Sequence, residues 1–433
     1  MSISSLIRHS ARVVRVALLG AGWACVACAA SPLRWYSGAL DREVSVELLE
    51  PAPIAAAADA SAGPKGSPLV IYLKNLAAPR AGTESDESIV ADFRRDGFLV
   101  AVLDYAHAPR ARWPHLNRDL AALRTQLLHG TWLGERALDQ AHIYFVPAGH
   151  RLKRNVMFAH DGTRTVALDV LYPSRPARPV GALLEFSCDN AERMGNNSLQ
   201  FCTDTLLEGA ASEGYAVAMA DHPVRAPYRG FDAMPLSAQL VKAAVRTLRA
   251  EGAALGLDGR IVPVGFSRGS GMALMLVTTR DHPEFDTLGE HRDVSSEVQG
   301  AVVLSGRFTY LDLRPEDPMI PKYVKTWGER ATHRDAWRAQ GALDYLGAPT
   351  VPLFLSINAT ESPDALHQMA VLRRRLDALQ SPYVYFPEDE PRGHRVPLAP
   401  AVLDPLLSYL RARLGAAATG PAPSPEKSPA PPQ

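Results

Sequence analysis

Gly265-Phe266-Ser267-Arg268-Gly269 sets a serine between two glycines, with the apolar run RIVPV before it and the small-residue stretch GSGMAL after it. That context predicts a strand, a sharp turn and a helix, with Ser267 at the turn. A serine there takes a strained backbone conformation, and glycines two before and two after relieve the crowding. Gly271 and Ala273 are expected to let the helix lie close to the sheet. The hydroxyl then stands beside the Arg268 amide and a helix N-terminus, where a tetrahedral oxyanion is stabilised. This is how a nucleophile for acyl transfer is presented. A glycine-rich turn with an incidental serine is the bland alternative, and it leaves the flanking strand and helix unexplained.

A serine hydroxyl is a poor nucleophile until a base takes its proton, and the base needs an orienting acid. With a strand-to-helix serine the partners follow in the order Ser, acid, His. The stretch PEDEPRGHRVPLAP puts His394 in a loop before the final helix, with Gly393 permitting a tight turn. His367 and His291 read as surface residues. The acid is expected after the run VPLFLSI, where the loop NATESPDALHQM offers Glu361 and Asp364. Glu361 is favoured by its position, and Asp364 suits the helix start near the N-cap.

These residues need a scaffold, and the chain alternates apolar strands with helices. A first series holds PLVIYLK, ESIVADFRRDG, FLVAVLDY and LNRDLAALRTQLL. A second starts near Ala141 and runs through TVALDVLYP, VGALLEFS, DTLLEGAASEG, YAVAMAD, SAQLVKAAVRTLRAEG, RIVPVGFS, GAVVLSG, VPLFLSI, ALHQMAVLRRRLDAL, YVYF and LAPAVLDPLLSYLRARL. The expected class is α/β, a mostly parallel sheet with helices on both faces. The first series has no Gly-x-Ser-x-Gly of its own and reads as a non-catalytic α/β subdomain or sheet extension. The two series echo each other no more closely than any two βαβ pieces do. The expected organisation is a signal peptide or membrane anchor at 1–30, a linker at 31–67, the N-terminal α/β subdomain at 68–140, a catalytic domain at 141–415 and a disordered Pro-rich tail at 416–433.

Residues from about 143 to 415 resemble an α/β-hydrolase, nearest in pattern to esterases of the acetylxylan and feruloyl esterase type. The similarity rests on ALDVLYPSRP, GYAVAMAD, VGFSRGSGMAL, GAVVLSGRFTYLDL, the NATES loop and RGH. It implies the α/β-hydrolase fold and two-step ester hydrolysis through an acyl-enzyme, without a cofactor or metal. Such esterases carry a His-Gly-Gly-Gly loop after the third strand, and here that place reads FSCDNAERMGNNS. Ser187 or Cys188 could offer the second oxyanion amide beside that of Arg268, and Asn190 a side-chain donor. Asn190, Arg268 and Arg307 are the candidate substrate-binding side chains. Arg268 reads either as a contact for an anionic acyl group or as a salt-bridging residue at the helix start. The loop DHPVRAPYRGFDAMP and the excursion 281–345 are expected to wall the cleft.

The 433 residues are 47% hydrophobic, ample for a large core, and carry 46 basic against 46 acidic side chains. That balance argues against a nucleic-acid partner, which needs a basic face. Arg8, Arg12 and Arg15 precede an uncharged apolar stretch that ends in small residues near Ala27 and Ala29. That pattern fits a secretory signal, hence export to the periplasm or outside the cell, with membrane anchoring as the other option. Cys25 and Cys28 fall in that segment, which leaves Cys188 and Cys202 as either a disulfide or two buried thiols. The leading expectation is therefore a serine esterase acting on small-molecule or carbohydrate esters. A prolyl-oligopeptidase-like peptidase and a catalytically inactive hydrolase-fold binding protein are the alternatives.

Overall fold

The structure is a computed structural model that describes residues 33–38, 41–52, 66–74, 84–104, 122–123, 125–127, 133, 138–162, 164–186, 214–222, 234–389, 391, 393–394 and 400–415. Residues 1–30, residues 187–213 with Cys188 and Cys202, and residues 416–433 lie outside the described residues. Contacts group Leu33–Gln433 as one compact unit.

Two sheets carry the fold. The first is five-stranded, in the order β1-β2-β4-β3-β5. Its strands are β1 (Leu33–Ser37), β2 (Arg42–Leu49), β3 (Ser67–Lys74), β4 (Leu99–Asp104) and β5 (Leu138–Pro147). β3 runs parallel to β4 and β5, and β2 is antiparallel to both β1 and β4. Helix α1 (Asp86–Arg95) joins β3 to β4, capped by the Ser85 side chain and burying Ile89, Val90 and Phe93. The first series thus builds a sheet of its own. Two expected boundaries are corrected. The stretch taken as linker contains β1 and β2, whose alternating Val44 and Val46 are buried against the core. The division at 140/141 falls inside β5, which belongs with the first sheet.

After the turn at Ala148 and Gly149, β6 (His150–His160) begins the second sheet, ordered β13-β12-β11-β10-β8-β9-β7-β6. Its members are β7 (Thr165–Pro173), β8 (Val180–Phe186), β9 (Ala216–Ala220), β10 (Leu257–Phe266), β11 (Ala301–Leu304), β12 (Leu353–Ser356) and β13 (Tyr383–Tyr385). β8 to β13 are mutually parallel where they pair, and β7 is antiparallel to both β6 and β9. The class is α/β with mixed sheets.

Alternation along the buried strands sorts side chains to two faces. Leu183, Val262, Val264, Val302, Leu304 and Phe354 join one cluster with the first sheet and with helix α7 (Pro400–Leu414). Ala182, Leu184, Ile261, Ala301, Val303 and Leu355 join the other. There they meet α2 (Met234–Gly252), α3 (Arg268–Thr278) and α6 (Pro363–Ala378). Burial on both faces explains why these strands read as continuous apolar runs. Arg151 on β6 ties the two sheets together, bonding Glu84 at 2.9 and 2.7 Å and also reaching Asp92 on α1. No helix among the described residues is long and apolar enough to cross a membrane.

Candidate active site

β10 ends at Phe266 and α3 begins at Arg268, so Ser267 alone makes the turn. Its φ of 55° and ψ of −114° are strained for a side-chain-bearing residue. Such strain, of order 1–3 kcal/mol, persists only where the surroundings over-determine it. Here they do. The Ser267 amide donates to Leu304 O on β11 at 3.0 Å, and the buried Ser270 hydroxyl lies against the carbonyls of both Ser267 and Ser305. A Cβ on Gly265 would stand 2.0 Å from the Gly269 carbonyl oxygen, so only glycine lets the helix start cross the strand end. Gly306, at φ 132°, is equally confined: a Cβ there would stand 2.2 Å from the Ser270 hydroxyl and 2.5 Å from Ser267 O. Gly271 is not. A Cβ there would make ordinary contacts at 3.6 and 3.8 Å, so the expectation that it permits close helix packing is corrected.

The turn after β12 presents Glu361 just ahead of α6, whose N-cap is Ser362, accepting the Ala365 amide at 3.2 Å. Glu361 is buried, and its Oε2 lies 2.7 Å from His394 Nδ1. His394 Nε2 lies 3.0 Å from the Ser267 hydroxyl. The imidazole rests on the Phe266 ring, centroids 4.8 Å apart, and its side chain is 53% exposed, open enough to meet a ligand. Burial by itself pushes the Glu361 carboxyl up. Bonds from His394, the Ser362 amide at 2.9 Å and the Ser305 hydroxyl at 3.0 Å outweigh it and hold the group below its ordinary value. A serine, an imidazole and an ionised carboxylate in one hydrogen-bonded line can move a proton off the serine and stabilise the imidazolium that results.

Asp364 lies elsewhere. It sits in the first turn of α6, 3.6 Å from Arg314 and 3.9 Å from Arg307. Arg307, a candidate substrate contact, gives its guanidinium to both oxygens of buried Asp317 at 2.8 and 2.7 Å. Beyond it the excursion packs its own aromatic cluster. Tyr323 stacks on Trp327 at 4.8 Å, and Tyr310 and Trp337 meet them edge-on. Arg268 borders this cluster. Burial raises the Tyr310 phenol, and the nearby Arg268 guanidinium offsets only part of that rise. The earlier part of the excursion is pinned to α2 by buried Lys242 and Arg246, each 2.7 Å from Asp286. Ser187, Cys188, Asn190 and Cys202 lie outside the described residues, as does most of the DHPVRAPYRGFDAMP loop.

Ser270, Ser305 and Phe266 support the serine and its partners, and reading the sequence did not single them out. The signal for Ser305 was its place in Ser305-Gly306, directly after a strand that neighbours β10. Among the described residues no group of three His, Cys, Asp or Glu side chains could hold a metal ion.

No family model matches the chain, and no curated protein matches its sequence. Solved structures share its fold. A truncated carbohydrate esterase from gut microbiota superposes with a TM-score of 0.50 at 15% identity, over 60% of this chain and 96% of that one. A bifunctional GH43-CE protein of Bacteroides eggerthii gives 0.51 at 18%, over 60% of this chain and 38% of that one.

Proposed function

We propose that this protein is a serine hydrolase of the α/β-hydrolase fold that cleaves carboxylic esters, with small acyl or sugar-linked esters as substrates. The observation that carries the reading is the line Glu361–His394–Ser267, at 2.7 and 3.0 Å, ending on a serine held at a strained φ of 55°. The carbohydrate esterase and the bifunctional GH43-CE protein that share the fold are consistent with it.

In this reading His394 Nε2 takes the hydroxyl proton as Ser267 Oγ attacks the ester carbonyl carbon. Glu361 holds Nδ1–H and stabilises the imidazolium. The carbonyl oxygen gains the negative charge, facing the amide of Arg268 at the start of α3. The second donor in this reading is the backbone N–H of Ser187 or Cys188, or the Asn190 side chain, assigned from the sequence alone. The tetrahedral intermediate collapses, His394 gives its proton to the leaving alcohol, and the acyl group stays on Ser267. Water, deprotonated by His394, then attacks the acyl-enzyme and releases the acid. Export of the protein is part of the proposal, supported by the basic-then-apolar order of residues 8 to 30.

A fluorophosphonate probe tests the nucleophile. Labelling at Ser267, lost in Ser267→Ala together with turnover of acetyl and feruloyl esters, is the expected result. A wild-type protein that resists the probe and hydrolyses none of these esters would instead be a binding protein on a hydrolase fold. Cleavage of peptides in preference to esters would favour the peptidase reading.

A further inference from the structure

Glu361 does not meet the histidine loop alone. Its neighbour Thr360 accepts the backbone N–H of Gly393 at its hydroxyl oxygen, at 3.0 Å. Consecutive residues of one turn thus hold consecutive residues of the loop: Thr360 takes Gly393, and Glu361 takes His394. The Thr360 hydroxyl donates its own hydrogen to Asn358 Oδ1 at 2.7 Å, and that oxygen also accepts the Thr360 amide at 2.9 Å. Asn358 is buried two residues beyond β12, and its Nδ2 donates to the buried carboxylate of Glu388 at 3.0 Å. Two backbone bonds reinforce that pairing, Ala359 N–H to Glu388 O at 2.8 Å and Glu388 N–H to Ile357 O at 3.0 Å.

The chemistry of each group sets the direction of this chain. A carboxylate only accepts, so it turns the Asn358 amide N–H₂ toward itself and the amide oxygen toward Thr360. With its hydrogen committed to that oxygen, the Thr360 hydroxyl is left as an acceptor for Gly393. Gly393 has a φ of 62° and open space where a Cβ would go, so glycine is needed there for backbone conformation and not for room. Next to the imidazole, Gly393 is thus left-handed and its amide is held by the Thr360 hydroxyl. Thr360 itself is exposed, so burial does not account for it.

We infer that Thr360 is a positioning residue for His394, oriented by Asn358 and Glu388, and that its hydroxyl sets the backbone from which the imidazole reaches Glu361 and Ser267 together. The inference rests on the reading of Ser267 as nucleophile. Misplacement by about 1 Å at such a site costs up to roughly a hundredfold in rate.

The test compares Thr360→Val and Thr360→Ser in the full chain, using p-nitrophenyl acetate turnover and the fluorophosphonate labelling rate of Ser267, both expressed per labelled site. Loss of one such hydrogen bond is expected to lower kcat and the labelling rate of Thr360→Val together by about tenfold, with KM little changed. Thr360→Ser should recover to within about twofold of wild type, because it keeps the hydroxyl. Wild-type kcat and labelling in Thr360→Val, a rise confined to KM, or a serine variant as slow as the valine one would each overturn the inference. Ser267→Ala separates the two levels. If it retains turnover, the nucleophile reading falls and this inference with it. If it is inactive while Thr360→Val behaves as wild type, only the role of Thr360 falls.

Discussion

Ser305 donates its hydroxyl to Glu361 Oε2 at 3.0 Å, and the same oxygen faces His394 Nδ1 at 2.7 Å. Ser305 follows β11, the strand next to that of Ser267, and its carbonyl meets the hydroxyl of Ser270 from the α3 start. One residue therefore links the serine turn to the buried acid. Ser305→Ala is expected to lower stability by about 1–3 kcal/mol, because a bond to a charged group is lost, and to slow ester turnover severalfold. Ser305→Gly suits the φ of 58° better yet also lacks the hydroxyl, so it should unfold later than the alanine variant but be equally slow. Urea unfolding and steady-state kinetics on the pair check this. Full activity in the glycine variant would mean that the hydroxyl is idle.

The Glu361 carboxyl makes stability depend on pH. Its folded pKa lies below the unfolded value, because its hydrogen bonds outweigh the cost of burial. Stability gained this way is fully present above the unfolded carboxylate value, about 4.3, and is lost as pH falls through the folded one. The difference in unfolding free energy between wild type and Glu361→Gln should therefore shrink as pH is lowered from neutrality toward pH 3. A constant difference would show that the carboxylate carries no such linkage. At neutral pH the glutamine variant should also lose roughly 10³- to 10⁴-fold in turnover, since it neither fixes the imidazole tautomer nor stabilises its charged form.

Two glycines six residues apart should respond in opposite ways. A Cβ on Gly265 would run into backbone, Gly269 O at 2.0 Å, Gly269 C at 2.1 Å and Ser270 N at 2.4 Å, and none of these can turn aside. Gly265→Ala should cost more than about 3 kcal/mol and displace Ser267. Gly271 is a helical residue whose added methyl would meet only ordinary contacts. Gly271→Ala should raise stability by about 0.5–1 kcal/mol through helix propensity. Thermal melts of the two variants decide this, and a lowered melting temperature for Gly271→Ala would show that the contact with Met234 is tighter than its 3.6 Å implies.

What could be read from the sequence follows from where the information is local. The serine turn and the runs from β7 to β12 show themselves through short-range pattern, because glycine spacing and continuous apolar stretches are dictated by backbone sterics and two-sided burial. β1 and β2 escaped because an antiparallel edge is half solvated: Arg42, Glu43, Ser45 and Glu47 dilute the apolar signal, and Ala- and Pro-rich sequence follows directly. Ser305 and Thr360 escaped for another reason. Each acts on a residue 56 or 33 positions away, through a contact that exists only once parallel strands lie side by side. For Arg307 the sequence is ambiguous, because an arginine near a cleft has the same local signature whether it meets substrate or a carboxylate ten residues on, and the structure adds the bond to Asp317.

That last ambiguity makes a prediction. The Asp317 side chain is 1% exposed and that of Arg307 24%, and Asp317 Oδ1 also accepts the Met319 amide at 2.9 Å, just before α4 (Ile320–Trp327). Arg307 in turn lies over the Tyr323 ring, 6.0 Å from its centroid. The pair therefore fastens the aromatic cluster to the strand end that carries Ser305. Removing Asp317 leaves the largely buried Arg307 only the longer contact with Asp364 at 3.9 Å, so Asp317→Ala should cost roughly 3 kcal/mol and weaken the near-ultraviolet signal of Trp327 and Trp337. Arg307→Met strands the carboxylate instead and should cost a similar amount. The double variant Arg307→Met/Asp317→Leu removes both charges and should be less damaging than the sum of the singles, a coupling that a double-mutant cycle in urea would measure. Additive losses, or an Arg307→Met protein of normal stability whose KM alone rises, would return Arg307 to the substrate side of the cleft.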